Sequence, residues 1–530
     1  MKISARAQRI DPFYVMEVAK AAARLARDFA HTDRPMLFLN IGEPDFTAPP
    51  LVQQAAVRAI HDGATQYTQA TGLDSLRERI SAWYAARFGV QVPARRIVVT
   101  AGASAALQLA CLALIDAGDE ILMPDPSYPC NRHFVSAAEG QAVLVPTTAQ
   151  ERFQLSAAKV EDAWGDRTRG VLLASPSNPT GTSIHPDELR RIHGFVRNKG
   201  GITLLDEIYL GLSYEDTFGH TGLAIDDQVI SINSFSKYFS MTGWRLGWMV
   251  VPDALVPAIE RLAQNLFICP STVAQHAALA CFEPESIAEY ERRRLEFKAR
   301  RDWFIPQLRA LGLEVPVMPD GAFYAWADCS AACRRLGVES SWELAFALME
   351  RAHVAVTPGR DFGTAQTRNF IRFSTANSMP QLQEAAARLK APAGMTAPIF
   401  EHRLRVYWED TDAGGIVFYA NYLKFFERAR TEWLRSLGIQ QSVLRATTGG
   451  MFVVAETTVR YLLPARLDDE LLVTARLEEA GRSSLIIAQQ ARMRSDGALL
   501  CEGTIRIGWV DAQRLRPARI PPLILEALQQ

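Results

Sequence analysis

Short apolar runs alternate with helical stretches through the middle of the chain, from Ile97 to about Leu246. The run that begins at Ile97 leads into a predicted helix ending at Leu114, and a second helix is predicted from Pro186 to about Asn198. The other apolar runs are EILMPDPSYP, GVLLASPSNPTG, ITLLDEIY, VISINS and RLGWMVV. Strands that alternate with helices in this way predict a mostly parallel sheet with helices on both faces.

The residues best suited to bind a ligand follow these predicted strands. Five candidates lie at or just after the end of an apolar run: Ala103, Tyr128, Asn178, Asp206 and Lys237. Ligands in open parallel sheets bind at the carboxyl ends of the strands. We therefore expect the five residues to surround one site.

The pattern changes beyond the predicted sheet. The segment from Glu283 to Arg301 is charged and helical, and the mixed segment after it ends in FIRFSTAN, which predicts a smaller α+β domain. The segment Lys390–Pro398 (KAPAGMTAP) has two prolines, a glycine and no periodicity, which is typical of a linker.

A different set of elements follows the linker. HRLRVYW predicts a strand, EDTDAGG a loop, and NYLKFFERARTEWLRSLG an amphipathic helix with Tyr422, Phe425 and Trp433 on its apolar face. Four further runs predict strands: VVAETTVRYLL, ELLVTARLEEA, SLIIAQQARMR and LLCEGTIRIGWV. One helix followed by a long antiparallel sheet indicates an α+β domain of about 130 residues, and neither region repeats the other.

Composition excludes function classes rather than selecting one. A chain of 530 residues is too long for one core, and its formal net charge of −1 with no basic stripe argues against a nucleic-acid partner. The sequence has no run of ~18 apolar residues, so no membrane span is predicted. The charged N-terminus is unlike a signal peptide. The seven cysteines are scattered and form no C-x-x-C pair, so a metal site is not expected. Reduced thiols in the cytoplasm are the expected state.

The segment SFSKYFSMTGWRLGW places Lys237 among groups that bind phosphate. It follows a strand-like run and is flanked by the hydroxyls of Ser234 and Ser236 and by the guanidinium of Arg245. A lysine amine can condense with the aldehyde of pyridoxal 5'-phosphate (PLP), while hydroxyls and an arginine hold the phosphate. The bare S-x-S-K string leaves a solvated lysine at a strand end equally open.

Ordered motifs along the first 390 residues decide between those two interpretations. They are IGEPDF from Ile41, YTQATGLDSLR from Tyr67, TAGASAAL from Thr100, then PSYP, SPSNPTG, DEIY and FIRFS. With these motifs the region resembles the fold type I, class I PLP-dependent aminotransferases. The resemblance implies an α/β PLP-dependent transferase fold with a seven-stranded-type sheet. It also implies a PLP cofactor, amino acid and 2-oxo acid substrates, and a homodimer.

The same resemblance implies domain limits. A large PLP-binding domain covers about residues 45–285, and a small domain is built from about 1–44 and 286–390. A linker at 391–398 leads to the second domain at 399–530.

The resemblance assigns ring contacts to residues of suitable chemistry. Asp206 pairs with the pyridine nitrogen, so that the ring accepts the electrons released when the Cα proton leaves. Tyr209 and Asn178 bond the phenolic oxygen, and Tyr128 stacks on the ring face. A cis Asn178–Pro179 bond is also implied. Taken singly, Asp206 could instead cap a turn, Asn178 could be a turn residue, and Tyr128 could simply pack.

The phosphate is expected at the N-terminus of the helix that GAS begins. The amides of Ala103 and Ser104 point at it there, and the helix dipole favours the negative charge. Ser234, Ser236 and Arg245 complete the cup. The resemblance further implies that Tyr67 reaches the phosphate of the neighbouring subunit in a composite site.

The substrate is expected on the other side of the ring. Arg372 holds the α-carboxylate by two bonds with help from the backbone of Gly42, because an arginine in an apolar strand needs a buried anion. Lys237, once released, carries the proton between Cα and the cofactor carbon as general base and acid.

The region after Met395 resembles hotdog-fold acyl-CoA thioesterases of the YbgC/4-hydroxybenzoyl-CoA family. The resemblance rests on Arg405–Leu434 (RVYWEDTDAGGIVFYANYLKFFERARTEWL) and on Val459–Asp469. It implies that Asp412, at the entry to the long helix, attacks the thioester or activates water, and that the Tyr419 amide polarises the thioester carbonyl. Asp410 and Asp412 could instead be turn and N-cap residues.

The sequence thus predicts a bifunctional enzyme that transaminates an α-amino acid and hydrolyses an acyl-CoA. In the main alternative the hotdog domain senses acyl-CoA or assembles oligomers without catalysis, and it could extend the dimer to a larger assembly. A PLP-binding regulator is disfavoured because the chain lacks a basic winged-helix module. Lyase or decarboxylase chemistry stays open, since the same residues serve it.

Overall fold

The chain divides into two units, residues 1–390 and 391–530. The computed structural model describes residues 2–11, 14–28, 34–390 and 400–529. The predicted linker at 391–398 lies outside these described residues, so its role stays a prediction.

The helices of the first unit flank a central sheet. Within the described residues they are α1 (Ala5–Gln8), α2 (Tyr14–Asp28), α3 (Pro50–His61), α4 (Asp74–Phe88), α5 (Ala103–Leu114), α6 (Pro129–Ala137), α7 (Ala157–Ala163), α8 (Pro186–Asn198), α9 (Val256–Leu266), α10 (Thr272–Leu279), α11 (Pro284–Ala310), α12 (Ser330–Leu336), α13 (Ser341–Ala352) and α14 (Met379–Lys390).

The strands of the first unit form one large sheet and two small ones. They are β1 (Leu37–Phe38), β2 (Ile97–Thr100), β3 (Glu120–Asp125), β4 (Gln141–Pro146), β5 (Thr168–Ala174), β6 (Ile202–Asp206), β7 (Ile230–Ser234), β8 (Gly247–Val250), β9 (Tyr324–Asp328), β10 (Val354–Ala355), β11 (Thr357–Pro358) and β12 (Phe370–Ser374).

The large sheet has seven strands in the order β2-β8-β7-β6-β5-β3-β4. Strand β8 runs antiparallel to both of its neighbours, and the other pairs are parallel. This confirms the predicted mostly parallel sheet, whose central strands are buried on both faces as their continuous apolar runs require. Strand β4 is not among the predicted runs, because this edge strand is only partly buried and begins with an exposed glutamine.

The small α+β part combines segments from both ends of the first unit. Strand β1 pairs with β10, and β9, β11 and β12 form an antiparallel sheet that packs under α11 and α14. Helix α11 extends past the predicted end at Arg301 to Ala310. Its charged face is partly buried, since Arg300 lies inside and bonds Asp45 at 2.7 Å.

The second unit is an antiparallel sheet with one long helix packed on it. Its elements are β13 (Phe400–Arg405), α15 (Asn421–Ser436), α16 (Gln441–Thr448), β14 (Gly450–Tyr461), β15 (Glu470–Ala480), β16 (Ser484–Met493), β17 (Leu499–Asp511) and α17 (Pro522–Gln529). The strand order is β13-β15-β16-β17-β14, and every pairing is antiparallel.

The amphipathic pattern of α15 determines how it packs. Phe425, Phe426, Ala429 and Trp433 are buried against the apolar face of the sheet. Burying each large side chain stabilises the folded state by roughly 2–3 kcal/mol relative to leaving it exposed to solvent. Helices α16 and α17 do not appear in the predicted set, because α16 has no fully buried residue and α17 is short.

No helix in the described ranges is both long and apolar enough to cross a membrane.

Candidate active site

A cavity of about 330 Å³ lies at the carboxyl ends of the central strands of the first unit. Every residue predicted for the first site, except Tyr67, lines it. These lining residues are Gly42, Ala103, Ser104, Tyr128, Asn178, Asp206, Tyr209, Ser234, Ser236, Lys237, Arg245 and Arg372. They converge because parallel strands end at the same edge of the sheet.

Lys237 projects its amine into this cavity just after β7. The Nζ atom donates to the Gly42 carbonyl oxygen at 2.6 Å. Desolvation lowers the pKa of Lys237 to about 8, and the charges of Arg372 and Arg245 act in the same direction against that of Glu43. A lysine with a pKa this near neutrality is neutral for a useful fraction of the time, as a nucleophile or base must be.

Asp206 ends β6 with its carboxylate buried. Its Oδ1 accepts a hydrogen bond from the Ile208 N–H at 3.2 Å. Burial raises the pKa of Asp206 to about 6, although the nearby Lys237 charge opposes that shift. A buried carboxylate facing a cavity gains most from a cationic N–H partner, which a protonated pyridine ring supplies.

The N-terminus of α5 forms an anion cup with three side chains. The residue before it, Gly102, has φ +85°, and a Cβ there would lie 2.8 Å from Arg245 Nη2. Glycine is therefore needed both for the backbone conformation and for the close approach of Arg245. Ser234 and Ser236 are buried beside it, and the Ser236 N–H donates to Ser234 Oγ at 3.0 Å. Amides, hydroxyls and a guanidinium together suit a phosphate.

Arg372 is a buried cation whose hydrogen-bond partners are neutral. Nη1 donates to Asn178 Oδ1 at 2.8 Å and Nη2 to the Asn40 carbonyl at 2.8 Å. The guanidinium lies over the rings of Tyr324 and Phe362, at 4.5 and 5.2 Å from the centroids. Within the described part of the chain, its Nε is buried without a hydrogen-bond partner. A buried guanidinium held by these contacts is suited to bind a carboxylate.

Tyr324 is a site residue that sequence reasoning misses. Its hydroxyl lies 2.6 Å from that of Tyr209, and a Cβ on Gly42 would come within 2.5 Å of it. Desolvation raises the pKa of Tyr209 well above its usual value, and the contact with Tyr324 acts in the same direction. In the run AFYAW, which leads into β9, an active-site tyrosine has the same pattern as a core aromatic residue, so no local signal distinguishes it.

A second missed residue, Asp125, ties the two parts of the first unit together. Its buried carboxylate accepts hydrogen bonds from the Thr364 N–H at 2.9 Å and the Ala365 N–H at 3.0 Å. Asp125 ends β3, which leads to Tyr128, whereas Thr364 precedes β12, which carries Arg372. The contact thereby fixes one wall of the cavity relative to the other. The Asn178–Pro179 bond nearby is cis, as the resemblance implies.

Comparison with known proteins identifies this arrangement. Residues 34–389 match the family described as aminotransferase class I and II. The chain belongs to this family. Its cofactor is therefore PLP, and the buried Asp206, the Lys237 amine and the anion cup at α5 fit that group. Residues 406–528 match the thioesterase-like superfamily, which agrees with the antiparallel sheet and helix of the second unit.

Individual relatives align with this chain over nearly the whole length of its first unit. A valine–pyruvate aminotransferase of Mycobacterium tuberculosis is 38% identical over 384 residues, which are 72% of this chain and 96% of the relative. A crystal structure of an aminotransferase from the same organism has a TM-score of 0.69 at 37% identity, covering 73% of this chain and 98% of that one. The aspartate aminotransferase of Thermus thermophilus with maleate has a TM-score of 0.68 at 31% identity, with coverages of 73% and 98%.

Tyr67 lies away from the cavity of the aminotransferase unit. It is 80% exposed and lines a separate, open depression with Thr68, Thr272 and His276. Its predicted contact with the phosphate of a neighbouring subunit stays a prediction.

In the second unit, Asp412 does not lie at the entry to the long helix, where it was expected. Asp412 is exposed in a turn, where its N–H donates to the Ile416 carbonyl at 2.9 Å and its Oδ1 accepts from the Gly414 N–H at 2.8 Å. Helix α15 begins only at Asn421. Asp412 thus precedes the helix by a complete loop, because the two glycines that follow it favour a tight turn.

Asp410, rather than Asp412, holds the start of α15. Its buried backbone carbonyl accepts from the Phe418 N–H at 2.9 Å and from Asn421 Nδ2 at 3.0 Å. Tyr419, whose amide was expected to polarise a thioester, lies two residues before α15 and is 62% exposed. Its ring contacts those of Phe418 and Tyr461, at centroid distances of 4.6 and 6.1 Å.

Among the residues that the structure describes, no cluster of three or more His, Cys, Asp or Glu side chains could hold a metal ion.

Proposed function

We propose that the protein is a bifunctional enzyme. Its first domain transfers the amino group of an α-amino acid to a 2-oxo acid, and its hotdog domain at 399–530 hydrolyses an acyl-CoA thioester. The observation that carries the first activity is the convergence of Lys237, Asp206 and Arg372 on one cavity. We also propose the domain limits given above, with a large part at about 45–285 and a small part at about 1–44 and 286–390.

The cavity residues have distinct roles toward the cofactor. Bound PLP supplies an electron sink for bond cleavage at the substrate Cα and a carbon that takes up the amino group. Asp206 would hold the ring nitrogen, Tyr128 would pack on the ring face, and Asn178 and Tyr209 would bond the phenolic oxygen. Ala103, Ser104, Ser234, Ser236 and Arg245 would hold the phosphate.

Lys237 and Arg372 act on the substrate. The lowered pKa of Lys237, about 8, lets its neutral amine take the proton from the substrate Cα at physiological pH. Arg372 binds the α-carboxylate in its fixed plane over Tyr324, and the backbone at Gly42 borders the same space. The carboxylate then stays in place while Lys237 moves the proton, which favours transfer over side reactions.

The aminotransferase proposal is tested with the purified, PLP-loaded chain. Incubation with amino acids should shift the absorption of the pyridoxal form to that of the pyridoxamine form, and a 2-oxo acid should reverse the shift. Reduction with borohydride followed by mass spectrometry should place the cofactor on Lys237. Recovery of the label on another lysine would overturn the site, and release of carbon dioxide or ammonia would indicate decarboxylase or lyase chemistry instead.

The names of relatives do not determine the substrate. Among the similar proteins, one is named for valine and pyruvate and others for aspartate.

For the hotdog domain we propose Asp412 as nucleophile or general base and the Tyr419 amide as the group that polarises the thioester. Support comes from the thioesterase-like match and from the position of both residues before α15. The alternative, a domain that senses acyl-CoA or assembles oligomers, is favoured by the exposed, turn-forming position of Asp412. Hydrolysis of a panel of acyl-CoA thioesters by the full chain, lost in Asp412→Asn, separates the two functions.

We further propose a homodimer through the first domain, with Tyr67 reaching the partner's phosphate, and a larger assembly through the hotdog domain. Light scattering and the PLP affinity of Tyr67→Phe test this. All seven cysteines are unpaired, which supports a cytoplasmic location where thiols stay reduced.

A further inference from the structure

Tyr209 and Tyr324 form a buried hydrogen-bonded pair in the wall of the first cavity. Tyr209 follows β6 and Tyr324 begins β9, so the pair joins the large sheet to the small α+β part. Their hydroxyl oxygens lie 2.6 Å apart, and the two residues are only 3% and 1% exposed. Both side chains line the cavity. The contact is therefore complete within one subunit and lies beside the proposed place of the cofactor.

The number of protons fixes the direction of this hydrogen bond. A phenol carries a single proton to donate, although its oxygen can also accept. Under the proposed function, Tyr209 donates its proton to the phenolic oxygen of PLP. The oxygen of Tyr209 is then only an acceptor in the pair, and Tyr324 is the donor. The two bonds point the same way, from Tyr324 through Tyr209 to the cofactor.

The charges around the pair favour the same direction. Desolvation raises the pKa of Tyr324, and the positive charge of Arg372 opposes that rise. The Arg372 guanidinium lies 4.5 Å from the centroid of the Tyr324 ring, whereas Lys237 Nζ lies 5.6 Å from that of Tyr209. A phenol close to a cation is the stronger donor, because the cation stabilises the negative charge that develops on its oxygen.

The position of the Tyr324 hydroxyl is fixed from two sides. A Cβ on Gly42 would lie 2.5 Å from Tyr324 Oη, so a side chain at that position would displace the hydroxyl from its place. The ring of Tyr324 also meets that of Tyr209 edge to face, with centroids 5.5 Å apart. The glycine and the ring contact therefore hold the hydroxyl within reach of Tyr209.

We propose that Tyr324 is a positioning residue for transamination, whose hydroxyl donates to Tyr209 and thereby directs the Tyr209 proton to the phenolic oxygen of PLP. The proposal rests on the proposed aminotransferase function and deepens it at the same site. Hydrogen bonds in a chain strengthen one another, so Tyr324 makes Tyr209 a better donor.

The consequence concerns the proton on the covalent link between Lys237 and PLP. Loss of this proton leaves more negative charge on the phenolic oxygen, and a donor to that oxygen favours the charged form. Tyr324 therefore helps the link to lose its proton at lower pH. Removal of the Tyr324 hydroxyl should make the link keep its proton to higher pH.

The test is a pH titration of the visible absorption of the PLP-loaded chain, which requires no turnover. Tyr324→Phe should move the midpoint to a pH about 0.5–1 higher, which is the size expected for one hydrogen bond. In a Tyr209→Phe background the same substitution should leave the midpoint unchanged, because Tyr324 acts only through Tyr209. An unchanged midpoint in Tyr324→Phe overturns the proposal, and so does a shift that persists without the Tyr209 hydroxyl.

Tyr214→Phe is the matched control for structural disturbance. Tyr214 is buried and donates its hydroxyl to the carbonyl of Ala322, two residues before Tyr324. It is not one of the residues that line the cavity in the described part of the chain. Its loss disturbs the same segment without touching the tyrosine pair, so the midpoint should equal that of the wild type. A shift as large as that of Tyr324→Phe would assign the effect to packing and overturn the proposal.

The affinity for PLP gives a second readout. The dissociation constant of PLP from the reconstituted chain should rise by about 3–10-fold in Tyr324→Phe, and Tyr324→Phe should add nothing to Tyr209→Phe. A dissociation constant unchanged by Tyr324→Phe contradicts the proposal.

The wild type separates failure of this proposal from failure of the proposed function. If the wild-type chain forms no covalent link with PLP, the proposed function fails and the role of Tyr324 with it. If the wild-type link titrates and Tyr324→Phe titrates identically, only the role of Tyr324 is removed.

Discussion

The two units place their key carboxylates in opposite environments. Asp206 is buried at the end of a strand, receives one backbone hydrogen bond and has its pKa raised to about 6 by desolvation. Asp412 is exposed in a turn, and one of its oxygens is engaged by the Gly414 N–H.

The difference shows how far a single chain completes each site. In the first unit the same chain supplies the carboxylate, the amine, the anion cup and the buried arginine around one cavity. In the second unit, Asp412 and Tyr419 both lie on exposed surface. The chemistry of the first unit can therefore be argued group by group, whereas that of the second depends on the test of a single carboxylate.

The largest expected effect is that of Lys237→Ala. Transamination should fall by at least about 10⁴-fold, because both the nucleophile and the proton carrier are lost. PLP should still bind through the anion cup, without the covalent link. Acyl-CoA hydrolysis, measured on the same preparation, should not change, because the two units have separate cores. A parallel loss of both activities would show that the sites are coupled.

Asp412→Asn should produce the converse pattern. It keeps the shape of the side chain and its bond to Gly414 but removes the charge, so hydrolysis should fall by about 10²–10⁴-fold. Transamination is the internal control and should remain at the wild-type rate. Equal hydrolysis by variant and wild type would favour the sensing or assembly role for the hotdog domain.

Arg372→Lys preserves the charge but loses the planar, two-point contact over Tyr324. We expect kcat/KM for an α-amino acid to fall by roughly 100-fold, about 3 kcal/mol for a charged, desolvated pair. An unchanged kcat/KM would remove Arg372 from the substrate site.

The smallest expected effect is on the free energy of unfolding, whose pH dependence distinguishes the buried Asp206 from the exposed Asp412. The folded state of the PLP-free chain holds the proton of Asp206 up to a pKa of about 6, whereas the unfolded chain releases it near its ordinary value of 3.8. Between those values the folded state binds more protons, so this group lowers the free energy of unfolding as pH rises, by on the order of 2–3 kcal/mol in all.

Asp206→Asn should therefore stabilise the PLP-free chain relative to the wild type increasingly from about pH 4 to pH 6, and then by a constant amount. Calorimetric unfolding of the first unit across that range measures it. The exposed Asp412→Asn is the matched control and should leave the pH dependence of that transition unchanged. Identical profiles for Asp206→Asn and the wild type would mean that Asp206 is solvated.

Part of the structure follows from local pattern. Local pattern predicts the order of strands and helices, the helix at Pro186–Asn198 and the long helix α15. It does so because hydrophobic periodicity and apolar runs reflect burial directly. Five residues of the first cavity could also be predicted in this way, since parallel strands end at the same edge of a sheet. They are Ala103, Tyr128, Asn178, Asp206 and Lys237.

Other features have no local signal. The local sequence around Asp125 shows only an acidic residue before a turn. In the structure its carboxylate joins segments 239 residues apart in the chain. Asp412 was expected at the helix entry, but the backbone of its own loop folds back at Ile416 and ends the turn before the helix begins.

The sequence by itself determined the two domain types and the ordered motifs of the first unit, and it predicted Lys237 as the lysine that binds PLP, because these depend on residue type and spacing along one chain. The tertiary structure alone decided that Tyr324 faces Tyr209, that Asn40 and Gly42 offer carbonyls to Arg372 and Lys237, and that Met16 borders the cavity. Those contacts join segments far apart in the chain. They involve a pair of tyrosine hydroxyls, backbone oxygens and an apolar side chain, and residues of these types occur in any core as well as in a site.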